Sequence, residues 1–279
     1  MIRAAPLFAL ALAGCAAPPP GGGGIVSINP CADAMLVQLA PTRIAAISHY
    51  SLDPGGSSIP LEVARRFRAT GGTAEEVIAL RPDLVLASSF TAPATRSAFA
   101  RAGIDALYLD MPPTIAASRA QVLELARAIG APAAGEAMAA RIDAAVATAR
   151  PADARPVPAL LWIGGNMVSG GGTLLDEMMT RAGFRDVAAD YGLRFTGELP
   201  IEQVVARPPR VMLVPEEPGH DADARAAGLR ARALRASGAR VTQATFPRRL
   251  VNCGGPVIAD AMARLAEVRR SIRAEGSGS

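Results

Sequence analysis

Short apolar runs alternate with helical segments along the first part of the chain. The apolar runs are four to six residues long, which is typical of buried strands, and the segments between them have helical spacing. Strands are predicted within 25–30, 43–48, 83–89 and 104–110, and helices within 31–40, 61–67, 74–80 and 95–103. Such alternation predicts a parallel α/β sheet.

The pattern changes after Thr114. A predicted helix over 115–130 ends at Gly130, and an Ala-rich segment with strong helix propensity follows over 131–150. A second α/β series then begins, with strands within 157–164, 210–215 and 240–246 and helices within 173–183, 201–206, 222–238 and 256–275.

These elements predict an α/β protein with two lobes, each with a mostly parallel sheet flanked by helices. The N-terminal lobe is placed at 25–130 and the C-terminal lobe at 151–274, and one long connector helix at 131–150 joins them. Residues 275–279 are expected to form a disordered tail.

The N-terminus has the features of an export signal. MIRAAPLFALALAGC combines an early Arg with about ten apolar residues, too few to span a membrane. Leu12-Ala13-Gly14-Cys15 resembles the bacterial lipobox, in which the Cys carries lipid. Residues 1–15 are therefore expected to be a lipoprotein signal peptide, and 16–24 a flexible tether. The expected location is the periplasm, with Cys15 lipidated and anchored to a membrane.

Composition and motifs argue against several other functions. The net charge is +4, and the basic residues are spread out with few aromatic residues, which disfavours nucleic-acid binding. The chain lacks H-E-x-x-H, G-x-S-x-G, and any Lys for an S-x-x-K motif, so an enzyme is not expected. Two His residues are too few for a typical site for bare zinc or manganese ions. A structural envelope lipoprotein remains an alternative.

One element occurs twice. EEVIALRPDLVLA (75–87) and EQVVARPPRVMLVP (202–215) each have an acidic residue, an apolar helical turn, Arg-Pro, and an apolar run. The repeat indicates that the two lobes are similar units, although this order of elements is also common in α/β proteins in general.

Four segments carry a resemblance to a known family: RIAAISHYS (43–51), TGGTAEEVIALRPDLVLAS (70–88), VSGGGTLLDEMMTRAGFRDV (168–187) and ELPIEQVVARPPRVMLV (198–214). With the long central helix, they resemble the helical-backbone (class III) periplasmic solute-binding proteins of bacterial ABC importers. Members of that family bind cobalamin, ferric siderophores or haem. The resemblance covers about residues 25–272.

The resemblance implies a function. The chain would capture a metal chelate, of the cobalamin or ferric siderophore type, in the cleft between its lobes and deliver it to the permease dimer. It would act as a monomer, without a cofactor and without catalysis; a haem-binding or bare-metal-binding protein is the alternative. One acidic residue on each lobe would dock onto the permease, and by position these are Glu75, with Glu76 as the alternative, and Glu202.

General α/β rules also place a ligand at the loops that follow the strands. Tyr50 lies where the family's cobalamin binders have a ligand-contacting Tyr, but those binders line the cleft with several Trp residues and this chain has only Trp162. Three arginines suggest an anionic ligand. The candidate ligand-binding residues are Asn29, Cys31, His49, Tyr50, Ser89 and Phe90 in the first lobe, and Met167, Arg194, Phe195, Arg248, Arg249, Asn252 and Cys253 in the second.

Three of these residues raise the question of a metal. His49 next to Tyr50 could ligate haem iron. The alternative is that His49 is a loop residue that donates a hydrogen bond. On the family's layout, Cys31 and Cys253 belong to different lobes and point toward the cleft. They could be free thiols, soft metal ligands, or a disulfide between the lobes, which requires Cα atoms within about 7 Å.

Overall fold

The computed structural model of the chain describes residues 23–153, 155–215, 221–238 and 240–277. The predicted signal peptide with Cys15, the predicted tether up to residue 22, and residues 278–279 of the predicted tail lie outside these residues.

The first lobe contains a sheet in which all strand pairs are parallel. Its strands are β1 (Ile25–Ser27), β2 (Ile44–Ser48), β3 (Ala69–Thr70), β4 (Leu84–Ser88) and β5 (Ala106–Leu109). They are hydrogen-bonded in the order β3-β2-β1-β4-β5. The helices of this lobe are α1 (Pro30–Leu39), α2 (Leu61–Ala64), α3 (Ala74–Leu80) and α4 (Pro93–Arg101).

The second lobe contains a mixed sheet. Its strands are β6 (Val157–Gly164), β7 (Met167–Val168), β8 (Phe184–Asp186), β9 (Gly197–Glu198), β10 (Val211–Val214) and β11 (Thr242–Thr245). The order is β11-β10-β6-β7-β9, and β8 pairs with the first residues of β6. Strands β6, β8, β10 and β11 are parallel, whereas β7 and β9 are antiparallel additions.

Two helices lead from the first lobe to the second, α5 (Ile115–Ala128) and α6 (Pro132–Ala149), and the second lobe adds α7 (Leu174–Arg181), α8 (Ile201–Ala206), α9 (Asp221–Ser237) and α10 (Val257–Ser277). Helix α6 packs closely on α5, since a Cβ on Gly135 would lie 2.3 Å from the Cβ of Ala126. Helix α10 continues into the predicted tail as far as Ser277, because helix propagation adds one hydrogen bond for each residue fixed.

One hydrophobic cluster runs through both lobes. Leu36 of the first lobe, Leu125 and Ile142 of the connecting helices, and Leu161 and Met262 of the second lobe all belong to it, and each is fully buried. Because burial of apolar surface is the main stabilising contribution to folding, the two lobes share a core through α5, α6 and α10.

A buried carboxyl group connects α1 to the turn after β2, here called the Tyr50 loop (His49–Leu52). Asp33 is fully buried, and its Oδ2 accepts hydrogen bonds from Ser48 N at 3.0 Å and from Ser51 Oγ at 2.6 Å. Its Oδ1 has no hydrogen-bond partner among the described residues. Burial raises the pKa of Asp33 from 3.8 to about 7, and the hydrogen bonds oppose this rise.

We predict that Asp33 makes stability depend on pH. Between about pH 4 and about pH 7 the folded chain retains a proton that the unfolded chain has lost. The contribution of Asp33 to stability is fully present below its pKa in the unfolded chain, and it is lost as the pH rises through its pKa in the folded chain. In Asp33→Asn, the free energy of unfolding measured with urea should therefore fall less over this range.

Asp105→Asn, at an exposed position, is the matched control. Its free energy of unfolding should change with pH as steeply as that of the unchanged chain. Burial also raises the pKa of Asp186 to about 6, so the comparison concerns the difference between each variant and the unchanged chain. If the free energy of unfolding changed equally steeply with pH in Asp33→Asn and in the unchanged chain, Asp33 would not be the source of the pH dependence.

Candidate functional site

The candidate residues of the first lobe lie at one edge of its sheet. Asn29 follows β1, the Tyr50 loop follows β2, and Ser89 and Phe90 follow β4; Met111, which was not among the predicted residues, follows β5 after one residue. Because these strands are parallel, their carboxyl ends meet at the same edge. The structure therefore brings the predicted first-lobe residues together.

Apolar side chains are exposed at this edge. Among the described residues, six large hydrophobic side chains are exposed, and Leu229 on α9 is the only one of them that lies in an α-helix or a strand. The other five are Tyr50 (54% exposed), Leu52 (37%), Phe90 (77%), Met111 (74%) and Phe195 (73%). Four of these lie at this edge, whereas Phe195 lies in the loop before β9 of the second lobe. Several large apolar groups exposed at one edge of a sheet indicate a binding surface.

The loop that carries Phe90 is held by an arginine. Arg96 of α4 donates to the carbonyl oxygen of Ser89 and, at 3.0 Å, to that of Thr91. Its guanidinium carbon lies 4.0 Å from the ring centroid of Tyr108. These contacts fix the backbone on both sides of Phe90, so its ring is presented from an ordered loop.

His49 is fixed beside Tyr50. Its Nδ1 lies 3.3 Å from the carbonyl oxygen of Thr70, and its ring centroid is 4.0 Å from that of Tyr50. A carbonyl oxygen only accepts, so Nδ1 carries a proton in this hydrogen bond. His49 and Tyr50 are both exposed and can both contact a ligand.

The second lobe presents Phe195 through a close backbone contact. A Cβ on Gly170 would lie 2.2 Å from the carbonyl oxygen of Phe195, so only Gly fits there. Met167 lies half-buried in β7. Trp162 is buried at 1% exposure and donates from Nε1 to Gly165 O at 2.7 Å, so it supports the β6–β7 turn from inside the lobe.

The three candidate arginines differ. Arg249 forms an ion pair with Asp260 of α10 at 2.9 Å, and Arg248 donates to the carbonyl oxygen of Ile163 at 3.3 Å. Arg194 is exposed and has no hydrogen bond or ion pair within the described part of the chain. Arg194 is therefore the candidate best able to meet an anionic group of a ligand.

Cys31 and Cys253 form a disulfide, with Cα atoms 5.2 Å apart. The bond joins the start of α1 in the first lobe to the loop before α10 in the second. The interpretations of these residues as free thiols or as metal ligands are therefore wrong, since neither sulfur is a thiolate. Asn29 caps α1 beside the bond, and its side chain accepts from Cys31 N at 2.9 Å.

Hydrogen bonds accompany the disulfide across the lobes. Asn252 donates from Nδ2 to the carbonyl oxygen of Gly55 at 3.3 Å, which brings the second lobe against the loop after Tyr50. Gly255 N donates to Ser118 Oγ of α5 at 2.7 Å. Asn252, predicted as a ligand residue, thus contributes to the contact between the lobes.

Sequence reasoning missed Met111 and Leu52. Met111 lies two residues beyond β5 and Leu52 ends the Tyr50 loop, so the rule that selected Phe90 could also have selected both. No group of three or more His, Cys, Asp or Glu side chains that could hold a metal ion occurs among the described residues.

The structure also distinguishes the two acidic residues at the start of α3. Glu76 accepts hydrogen bonds from Thr70 Oγ1 at 2.9 Å and from Gly71 N at 2.7 Å. Glu75 is exposed, and so is Glu202 in the first turn of α8. Neither carboxylate has a hydrogen bond or ion pair among the described residues, so both are available to a partner.

Solved structures share this fold. The haem-binding protein RhuT from Roseiflexus sp. RS-1 is 22% identical, with a TM-score of 0.65 over 89% of this chain and 100% of that one. A periplasmic haem-binding protein from Pseudomonas aeruginosa is also 22% identical, with a TM-score of 0.69 over 88% and 91%. The vitamin B12 binding protein BtuF of Vibrio cholerae is 19% identical, with a TM-score of 0.68 over 89% and 97%.

The sequence comparisons give the family. No curated protein matches the chain, and none of its described helices is long and apolar enough to cross a membrane. The family model described as "Periplasmic binding protein" matches residues 25–237, which include the first sheet, the connecting helices and every strand of the second sheet except β11. The chain therefore belongs to the periplasmic binding protein family.

Proposed function

We propose that the chain is the binding protein of an ABC importer, and that it captures a metal-bearing tetrapyrrole, haem in first place, between its lobes. The observation that carries the proposal is the set of exposed apolar side chains, with Tyr50, Phe90 and Met111 in loops that follow strands of one lobe and Phe195 in the loop before β9 of the other. A flat macrocycle offers a large apolar face that such side chains can cover.

The polar groups at the same edge suit the rest of a haem molecule. Tyr50 and His49 are exposed side by side, and Tyr and His both ligate haem iron. Arg194 has a guanidinium group available for a propionate. The Roseiflexus and Pseudomonas proteins of the same fold are described as haem binders, and the Vibrio protein as a vitamin B12 binder, which supports a tetrapyrrole over a siderophore.

The test is a titration of the full chain with haemin, followed by the visible absorption of the haem. We predict saturable binding at micromolar or lower concentration. Phe90→Ala combined with Phe195→Ala should weaken the affinity at least about tenfold, since each truncation removes buried apolar contact. Leu229→Ala is the matched control, because Leu229 is exposed and apolar but lies on α9.

Cyanocobalamin and a ferric carboxylate siderophore form parallel arms of the titration. If one of these ligands binds, and its affinity falls equally in the Phe90 and Phe195 variant, the proposed site is supported and that ligand replaces haem as the proposed cargo. An absence of binding to all three, or equal losses in the Leu229 control, would contradict the proposal. Tyr50→Phe should in addition shift the haem spectrum if the phenolate ligates iron.

We further propose that Glu75 and Glu202 dock onto the permease dimer while a lipid on Cys15 holds the chain at the periplasmic face of a membrane. One exposed carboxylate on each lobe gives two attachment points that can orient a partner with basic pockets. The lipobox-like Leu12-Ala13-Gly14-Cys15 supports the anchor. Exposed acids at helix N-termini are also favoured by the helix dipole, so a transport measurement is needed.

In cells that carry the partner importer, Glu75→Ala with Glu202→Ala should reduce uptake at least about tenfold, because rim charges direct association, and should leave affinity for the cargo unchanged. Glu124→Ala with Glu136→Ala removes two other exposed carboxylates and should preserve uptake. Fractionation of the same cells should find Cys15→Ser in the soluble fraction. Lost cargo affinity in the Glu75 and Glu202 variant would argue against docking.

A further inference from the structure

A basic cavity lies at the amino edge of the second sheet, opposite to the edge at which its parallel strands end. It has a volume of about 560 Å³ and is lined by residues at the amino ends of β6, β10 and β11 and by β8. We call it the arginine cavity and define it by its charged and aromatic lining residues: Arg185, Asp190, Tyr191, Arg207, Arg210 and Arg240.

Positive charge is in excess in the arginine cavity. Four guanidinium groups and one carboxylate line it. Arg185 pairs with Asp190 at 3.0 Å, which neutralises one of the four. The guanidinium groups of Arg210 and Arg240 have no hydrogen bond or ion pair in the part of the chain that the structure describes, so two cations at this cavity lack a counter-charge.

The remaining arginine is held by the aromatic side chain. Tyr191 donates from its hydroxyl to the carbonyl oxygen of Arg207, and the guanidinium carbon of Arg207 lies 5.4 Å from the centroid of the Tyr191 ring. Pro208 and Pro209 restrict the backbone between Arg207 and Arg210. These contacts restrain the backbone between Arg207 and Arg210 and hold the guanidinium group of Arg207 against the Tyr191 ring.

The first lobe provides an internal comparison. A cavity of about 430 Å³ lies at the matching amino edge of its sheet, and its charged lining residues are Arg43 and Asp83. Both are engaged within the chain: Arg43 donates to the carbonyl oxygen of Ile129, and Asp83 accepts from Gly24 N at 2.7 Å. In the repeated element, Asp83 directly precedes β4 in the first lobe and Arg210 directly precedes β10 in the second. Of these two cavities, only the second has unbalanced positive charge.

Unbalanced like charges repel one another unless an anion neutralises them. Arginine binds oxyanions through two parallel hydrogen bonds, which suits phosphate. We propose that the arginine cavity is a second binding site, separate from the cleft, and that it binds the phosphate oxyanion, either free or in a lipid headgroup. Arg210 and Arg240 are the residues proposed to contact it.

Thermal unfolding of the full chain with inorganic phosphate tests the site, with chloride added to hold ionic strength constant. We expect saturable stabilisation, because a ligand that binds only the folded state raises its stability. Arg210→Ala with Arg240→Ala should weaken the apparent phosphate affinity at least about tenfold, since charge-assisted hydrogen bonds are lost. Arg101→Ala with Arg127→Ala removes the same charge from exposed sites elsewhere and should bind phosphate like the unchanged chain.

Flotation with vesicles identifies the source of the phosphate. Vesicles of phosphatidylcholine alone are compared with vesicles that also contain phosphatidylglycerol, whose headgroup gives a net negative charge. Extra binding to the anionic vesicles that is lost only in the Arg210 and Arg240 variant would support a headgroup ligand; saturable stabilisation by phosphate without it would support free phosphate. The proposal is overturned if neither effect occurs, or if the control variant loses as much as the cavity variant.

Discussion

The covalent bond between Cys31 and Cys253 fixes the start of α1 in one lobe to the loop before α10 in the other. Two hydrogen bonds near it also link the lobes, one from Asn252 to Gly55 and one from Gly255 to Ser118. Together with the core that α5, α6 and α10 share, these links determine how the two sets of strand ends face each other. The proposed cargo site depends on that relation, because its apolar side chains come from both lobes.

The carboxyl edge of the first sheet and the amino edge of the second sheet have different chemistry. At the carboxyl edge of the first sheet, hydrogen bonds position the loops from inside, as Asp33 does for the Tyr50 loop and Arg96 does for the loop of Phe90. At the amino edge of the second sheet, the lining is instead rich in arginine. Ordered backbone with exposed apolar rings suits an apolar cargo, and ordered backbone with unpaired guanidinium groups suits an anion.

The sequence predicted the long elements well, since their signals are local. Thr73 caps α3 by accepting from Glu76 N, and the helix ends before Arg81 and Pro82. The strands β3, β7, β8 and β9 have two or three residues each and were not predicted as strands, because only their pairing with neighbours defines them.

The sequence predicted where the candidate residues lie better than what they contact. The rule that ligand residues follow strands selected Tyr50 and Phe90. Phe195 was also a candidate, although it lies in the loop before β9. The rule could not show that Arg249 pairs with Asp260, or that Cys31 pairs with Cys253 at a sequence separation of 222 residues, because such contacts depend on the assembled lobes. The confirmed disulfide was one of three open interpretations, and the tertiary structure decided between them.

We propose that the link between the lobes preorganises the cleft for its cargo. The most direct test is the haemin affinity of the disulfide-bonded chain compared with that of Cys31→Ser combined with Cys253→Ser, after both have been shown to be folded. The account predicts an affinity at least about tenfold lower without the bond, since free lobes must be ordered when the ligand binds. Equal affinities would contradict it.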